Sequence, residues 1–297
     1  MRKDIISKYF MKNLAYLIFK YDYYLEGKVD KILEGHTDFI TCVNVLPDRR
    51  IVSGSNDNTL IIWDSFNYIL KSHIDTVTCI CVLPDGRIVS GSRDKTLMIW
   101  NFNKIESILK GHIDWVTCVS ILPYGRIVSG SDDKTCIIWN SSGQIENILR
   151  GHKDFVRCVA ILHDGRIVSG SYDKTLIIWN SEAKIDKILK GHSGWLSYIN
   201  ILHNGNIMSV SSDQILTWNS SGHLISQNSI KNITCFNILP NEDIITGSFN
   251  HKIIISNLED NITSTFEGHD DLIQCVSVLP DGRIISGSHD NTLIIWK

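Results

Sequence analysis

Short apolar runs alternate with polar turns along this chain, and they return on a fixed schedule. The fourth copy is the clearest: Val156–Leu162, Arg166–Ser171 and Thr175–Trp179 are rich in Val and Ile and bounded by turn residues. Such runs read as β-strands. A further strand is predicted at Gln144–Leu149 and its equivalents, just before the next Gly-His pair. The pattern occurs seven times at a period of about forty residues. Its closing tryptophan stands at Trp63, Trp100, Trp139, Trp179, Trp218 and Trp296, with Ser256 in the remaining slot. A unit this small cannot bury its own apolar face, so neighbouring copies must stack.

The turns follow from residue chemistry. Pro84, Asp85 and Gly86, matched by His163, Asp164 and Gly165 and by Pro280, Asp281 and Gly282, separate the first strand from the second. Proline lacks a ladder donor and glycine tolerates positive φ, which makes these segments turns by mechanism. Between the second and third strands, Ser-x-Asp-x-Thr places an aspartate such as Asp173 to accept backbone hydrogen bonds.

Composition narrows the class. With 43% hydrophobic and 21% charged residues in 297, the chain has ample core and a soluble-type surface. A net charge of -3 gives no global pull toward nucleic acid or anionic membrane. No uncharged apolar run of about eighteen residues occurs. Six of the eight cysteines (Cys42, Cys79, Cys118, Cys158, Cys235 and Cys275) share one slot, six residues past the repeat histidine or its equivalent, where Tyr198 stands in the remaining copy. One thiol per unit suits a small hydrophobe better than a disulfide, and no zinc spacing is present. That usage fits a reducing compartment, so a cytoplasmic location, extending to the nucleus, is expected.

The order Gly-His, β run, Pro-Asp-Gly, Ser-Gly-Ser-x-Asp, closing Trp resembles the WD40 repeat family over residues 29–297. Asn follows Trp100, Trp139, Trp179 and Trp218, and Asp64 alone keeps the family's second letter. The resemblance implies an all-β, seven-bladed propeller over residues 28–297. The last copy stops at Trp296-Lys297 with three strands, so Val29–Leu33 is predicted to pair beside Thr292–Trp296 and close the ring.

The resemblance also implies a structural relay from indole N–H through hydroxyl and imidazole to carboxylate. The sets are His36/Ser53/Asp57/Trp63, His73/Ser90/Asp94/Trp100, His112/Ser129/Asp133/Trp139, His152/Ser169/Asp173/Trp179, His192/Ser209/Asp213/Trp218 and His269/Ser286/Asp290/Trp296. A buried indole and imidazole each need partners, and one shared chain satisfies both. These Ser-His-Asp groups look like hydrolase triads, but a bonded relay serine is no free nucleophile. The sixth copy has Ser229, Thr246, Asn250 and Ser256 in the relay slots. The fifth carries Val210 for Gly and is one residue short between Asp213 and Trp218, so this side of the ring is expected to be softest or most specialised.

Residues 1–27 precede the repeats. Ile5, Ile6, Tyr9, Phe10, Leu14, Leu17, Ile18 and Tyr21 recur near helical spacing, which predicts a short helical extension that docks on the propeller or recruits a partner. The arrangement resembles a truncated F-box-like helix pair joined to a WD40 propeller, although the span is short and the Leu-Pro opening is absent. The Leu-Pro-Asp-Gly-Arg-Ile-Val-Ser-Gly-Ser wording resembles phospholipase-activator-like WD40 proteins.

In WD40 proteins, residues three and five positions after the repeat histidine, and one before the turn aspartate, often form the contact face. Here the first set contains Phe39, Trp115, Phe155 and Trp195; the second contains Thr41, Thr78, Thr117, Arg157 and Thr234; the third contains Arg93 and Tyr172. The aromatics either tuck against their own blade or stand exposed as protein-binding anchors. Arg93 and Arg157 can bind acidic or phosphorylated groups through their planar forks. The favoured reading is a non-catalytic protein-interaction scaffold, a monomer within a larger complex and without cofactors, with a ubiquitin-pathway adaptor as its specific version. A channel-binding enzyme or ligand carrier, and a nucleic-acid-associated scaffold around Arg93, Lys95, Lys134 and Arg157, are the competing classes.

Overall fold

The computed structural model describes residues 27–229, 232–257 and 262–297; the helical extension expected over residues 1–27 lies, apart from Gly27, outside them. The described residues form seven four-stranded antiparallel sheets, one per repeat. Predicted strands shift by one residue at their ends: the fourth copy reads Val156–Ile161, Ile167–Ser171 and Thr175–Trp179, followed by Ile185–Lys190. Blades 1 to 6 span residues 40–71, 77–110, 116–150, 156–190, 196–229 and 233–267. Blade 7 combines residues 273–296 with the strand Val29–Glu34 from the other end of the chain.

That strand pairs antiparallel with Thr292–Trp296, in the register Ile32 opposite Ile294 and Leu33 opposite Leu293. Lys28 and Lys297 exchange both backbone hydrogen bonds at 3.0 Å, and Arg283 reaches Asp30 across the junction at 2.6 Å. The first strand of each blade lies innermost, and successive inner strands line the axis. Closure removes the open edge that a linear stack would leave.

The core lies between blades. Each of seven apolar clusters draws side chains from two neighbours, as where Leu46, Val52, Leu60 and Leu70 of blade 1 meet Val77, Ile88, Met98 and Trp100 of blade 2. Among the described residues, the cluster between blades 5 and 6 has six buried members and no tryptophan, against nine to eleven at the other seams. Tyr198 wedges into this thin seam, and its hydroxyl donates to the Thr234 carbonyl. The cysteines are free thiols; burial pushes Cys118 up to about 12, so it packs as an uncharged group.

Candidate interaction face

The relay fixes the loops that carry this face. In blade 3, the Trp139 indole donates to Ser129 Oγ at 2.8 Å, His112 Nε2 lies 2.8 Å from that oxygen, and His112 Nδ1 lies 2.7 Å from Asp133 Oδ2. A carboxylate only accepts, so Nδ1 carries the proton and Nε2 accepts the serine hydroxyl. Burial alone would raise the Asp133 pKa, but hydrogen bonds from His112 and Thr135 outweigh it and hold it at about 2. Blades 1, 2, 4 and 7 repeat the geometry, with His-to-Asp distances of 2.9, 2.7, 3.0 and 2.7 Å.

The serines at the centre of these relays are closed to any partner. Ser53, Ser90, Ser169 and Ser286, like Ser129 and Ser209, are fully buried. Ser53 Oγ lies 2.8 Å from both the Trp63 indole nitrogen and His36 Nε2, and Ser90 is held at the same distance by Trp100 and His73. Ser169 sits 2.8 Å from Trp179 and His152. Ser286 sits 2.8 Å from Trp296 and 2.7 Å from His269. Each hydroxyl accepts an indole N–H and donates to an imidazole, so none of these relay serines is a free nucleophile. Ser53, Ser90, Ser169 and Ser286 therefore belong to the framework beneath the face and make no part of the contact surface itself.

Blade 5 requires a correction. His192 and Trp218 reach Ser209, but Asp213 bonds Ser193 Oγ at 2.5 Å and Ser211 Oγ at 2.9 Å, and His192 Nδ1 has no partner. Elsewhere the residue after the turn aspartate sits in the left-handed region, as at Asn58, Lys95, Lys134, Lys174 and Asn291. The shortened turn lacks that residue, and Gln214 already occupies the strand position that Thr135 holds in blade 3. The carboxylate is thereby turned away from the imidazole.

In blades 1 to 4, 6 and 7, a backbone bond joins the first contact set to the third. Asp132 N donates to the Trp115 carbonyl and Tyr172 N to that of Phe155, both at 2.9 Å. At four seams the third-set residue meets the first-set residue of the next blade, the Asn56–Thr76 hydrogen bond among them. The Arg93 guanidinium lies 4.5 Å from the Trp115 ring centre. Tyr172 stacks on Trp195 at 5.2 Å and 21°, and His289 stacks on Phe39 at 4.1 Å and 6°. Arg157 lies 5.1 Å over Tyr172 and donates to Asp132 at 3.2 Å, while Phe155 tilts against Tyr172 at 6.0 Å. A continuous strip thus runs from Trp115 and Arg93 through Asp132 and Arg157 to Tyr172, Phe155 and Trp195.

These aromatics remain open to solvent despite their stacking. Phe39 is 41% exposed, Trp115 39%, Phe155 37% and Trp195 58%. Phe39, Trp115 and Trp195 are each supported on one side by a neighbouring blade, and Phe155 by Tyr172 of its own blade. Rings held in this way lose little freedom when a partner covers them.

The second set divides. Thr41, Thr78, Thr117 and Thr234 place their hydroxyls against carbonyls of the next blade, at Val77, Val116, Val156 and Ile273. They tie seams together, and Arg157 is the member of that set that reaches the face. Three further members of the third set, placed there by repeat position but not among the residues favoured for binding, also take part: Asp132, only 7% exposed, the exposed Phe249 and the stacked His289. Burial pushes the Asp132 pKa up, and Arg157 opposes that rise.

The strip borders the mouth of the axial channel, a cavity of about 520 Å3 whose lining includes Arg157, Tyr172, Phe249 and Leu272. Among the described residues, no group of three or more His, Cys, Asp or Glu is placed to hold a metal, and no helix is long and apolar enough to cross a membrane.

No curated protein matches the chain. A family model described as WD domain, G-beta repeat matches residues 27–64, 65–101, 103–140, 143–180 and 260–297. The unmatched residues 181–259 contain blade 5 and the first three strands of blade 6, where the relay fails and the seam is thinnest. With most of its length matched and seven blades closed by its two ends, the chain belongs to the WD40 repeat family.

Proposed function

We propose that this propeller is a non-catalytic scaffold that presents the loop face of blades 2 to 5 to a protein or peptide. WD40 propellers generally serve as protein-interaction scaffolds, which sets the class. The observation that carries the site is the solvent-facing stack of Phe155, Tyr172 and Trp195 across the seam between blades 4 and 5. Aromatic and arginine side chains that are already ordered make strong interface anchors. Residues 28–297 act as one propeller unit, with residues 1–27 as an extension that recruits or docks. A ubiquitin-pathway adaptor working in the cytoplasm or nucleus is the specific version of this reading.

The test is comparative affinity purification with the intact chain and a Trp115→Ala, Phe155→Ala, Trp195→Ala triple variant shown to melt normally. Selective loss of partners from the variant supports the reading. An unchanged set of partners rejects it.

A further inference from the structure

Exposed charge on the loop face is segregated by blade. The left-handed slot after the turn aspartate holds Lys95, Lys134 and Lys174 in blades 2 to 4, and Asn58 and Asn291 in blades 1 and 7. All three lysines are exposed, and Arg93 and Arg157 lie in the same sector. Aspartates of this sector are buried or half-buried: Asp94, Asp133 and Asp173 in their relays, and Asp132 beside Arg157. On the opposite arc, which carries the Phe39–His289 stack, Glu34, Asp270 and Asp271 are exposed, and the exposed Glu267 pairs with Lys252 at 2.6 Å. Lysine in a left-handed slot is less comfortable than asparagine, so local turn geometry does not explain the choice.

We infer that the face is built for an extended segment of mixed charge, acidic over blades 2 to 4, apolar at the seam between blades 4 and 5, and basic over blades 7 and 1. Arg157 has the geometry to seat the acidic group. Tyr172 holds the flat face of its guanidinium and one N–H goes to Asp132, leaving further donors for a carboxylate or phosphoryl oxygen. Tyr172, Phe155 and Trp195 flank that position and take apolar neighbours. The acidic arc repels a uniformly acidic strand and attracts lysine or arginine, which fixes the direction in which the segment lies. This inference rests on the loop-face reading above and specifies the partner's chemistry.

The experiment measures binding of the full chain to four degenerate peptide pools carrying fixed Glu–Glu, Lys–Lys, Glu–Lys or Lys–Glu pairs six residues apart around one central Leu or Trp. A phosphoserine version replaces the acidic position in a parallel set. One mixed-charge pool is expected to bind about tenfold better than either uniform pool at low salt. Arg157→Gln should remove discrimination at the acidic position, and Asp270→Asn with Asp271→Asn discrimination at the basic one, each measured at a temperature at which circular dichroism shows the variant folded. Higher retention of the phosphoserine set identifies a phosphorylated source, and equal or lower retention a plain carboxylate. Equal retention of all four pools, retention of none, or displacement by a single-stranded oligonucleotide overturns the inference. If the pools bind equally and the triple alanine variant abolishes that binding, the loop-face reading stands while this one falls.

Discussion

Cys118 fills the space that a side chain on Gly130 would need. A Cβ at Gly130 would stand 2.6 Å from the Cys118 sulfur and 2.7 Å from Val156 Cγ1 of the next blade. The same squeeze recurs at Gly54, Gly91 and Gly287, which explains why the Ser-Gly-Ser wording is so monotonous. Gly130→Ala is therefore expected to lower stability by about 1–3 kcal/mol through overpacking. Denaturant unfolding of the intact chain reads the effect, and a variant as stable as the parent refutes the packing argument.

The relay carboxylates make the fold sensitive to acid. Burial works against them, but hydrogen bonds from histidine and threonine hold Asp94 and Asp133 at about 2, below the ordinary 3.8. A carboxylate with a depressed folded pKa stabilises the native state above its unfolded value, and that stabilisation is lost as pH falls toward the folded one. Asp133→Asn should cost about 1–2 kcal/mol at pH 7. Its deficit against the parent should shrink as pH drops from about 4 to 2. Paired urea titrations across that range decide the matter; a deficit independent of pH would show that the charge is not what matters.

The strand Val29–Glu34 joins the ends of the chain, and Leu33 is its buried anchor, packed in one cluster with Ile51, Ile61 and Trp63 of blade 1. Leu33→Ala is expected to cost about 2–4 kcal/mol. Removing residues 28–34 exposes the edge of Thr292–Trp296 and should produce both a lower melting point and self-association. Calorimetry with light scattering tests both, and a truncated chain that stays monomeric and equally stable excludes closure by this strand.

The seven-fold architecture was legible because its cause is local and repeated. Trp139, Ser129 and His112 each announce a buried polar group that needs a partner, and the same needs recur around Ser53, Ser90, Ser169 and Ser286. Closure was legible because three strands at one end left a place for one strand at the other. Asp213 was misplaced because a one-residue deletion does not change which residues are present, only where the turn can point a carboxylate. Thr41 and Arg157 occupy equivalent slots yet differ in role, since a short hydroxyl reaches the next carbonyl and a long guanidinium passes over it to Tyr172. The stacking of Arg93 on Trp115 crosses a seam, and no single repeat encodes it.

Blade 5 offers a repair that separates turn length from side-chain chemistry. Burial lowers the His192 pKa to about 4 against the ordinary 6.5, with Asp213 too poorly placed to reverse it. The unfolded chain therefore takes up a proton that the folded imidazole refuses, and stability should decline as pH falls from about 6.5 to about 4. Inserting one lysine between Asp213 and Gln214, with Gln214→Thr, restores the turn length of blades 2 to 4 and should bring the carboxylate beneath His192 Nδ1. The expected gain is about 1 kcal/mol at pH 7, from a buried nitrogen that acquires a partner. The decline between pH 6.5 and 4 should flatten, because an adjacent carboxylate favours the imidazolium. Unfolding curves at pH 7 and pH 5 for parent and insertion variant carry the test. If the insertion leaves both stability and its pH dependence where they were, the missing left-handed residue is not what broke the relay.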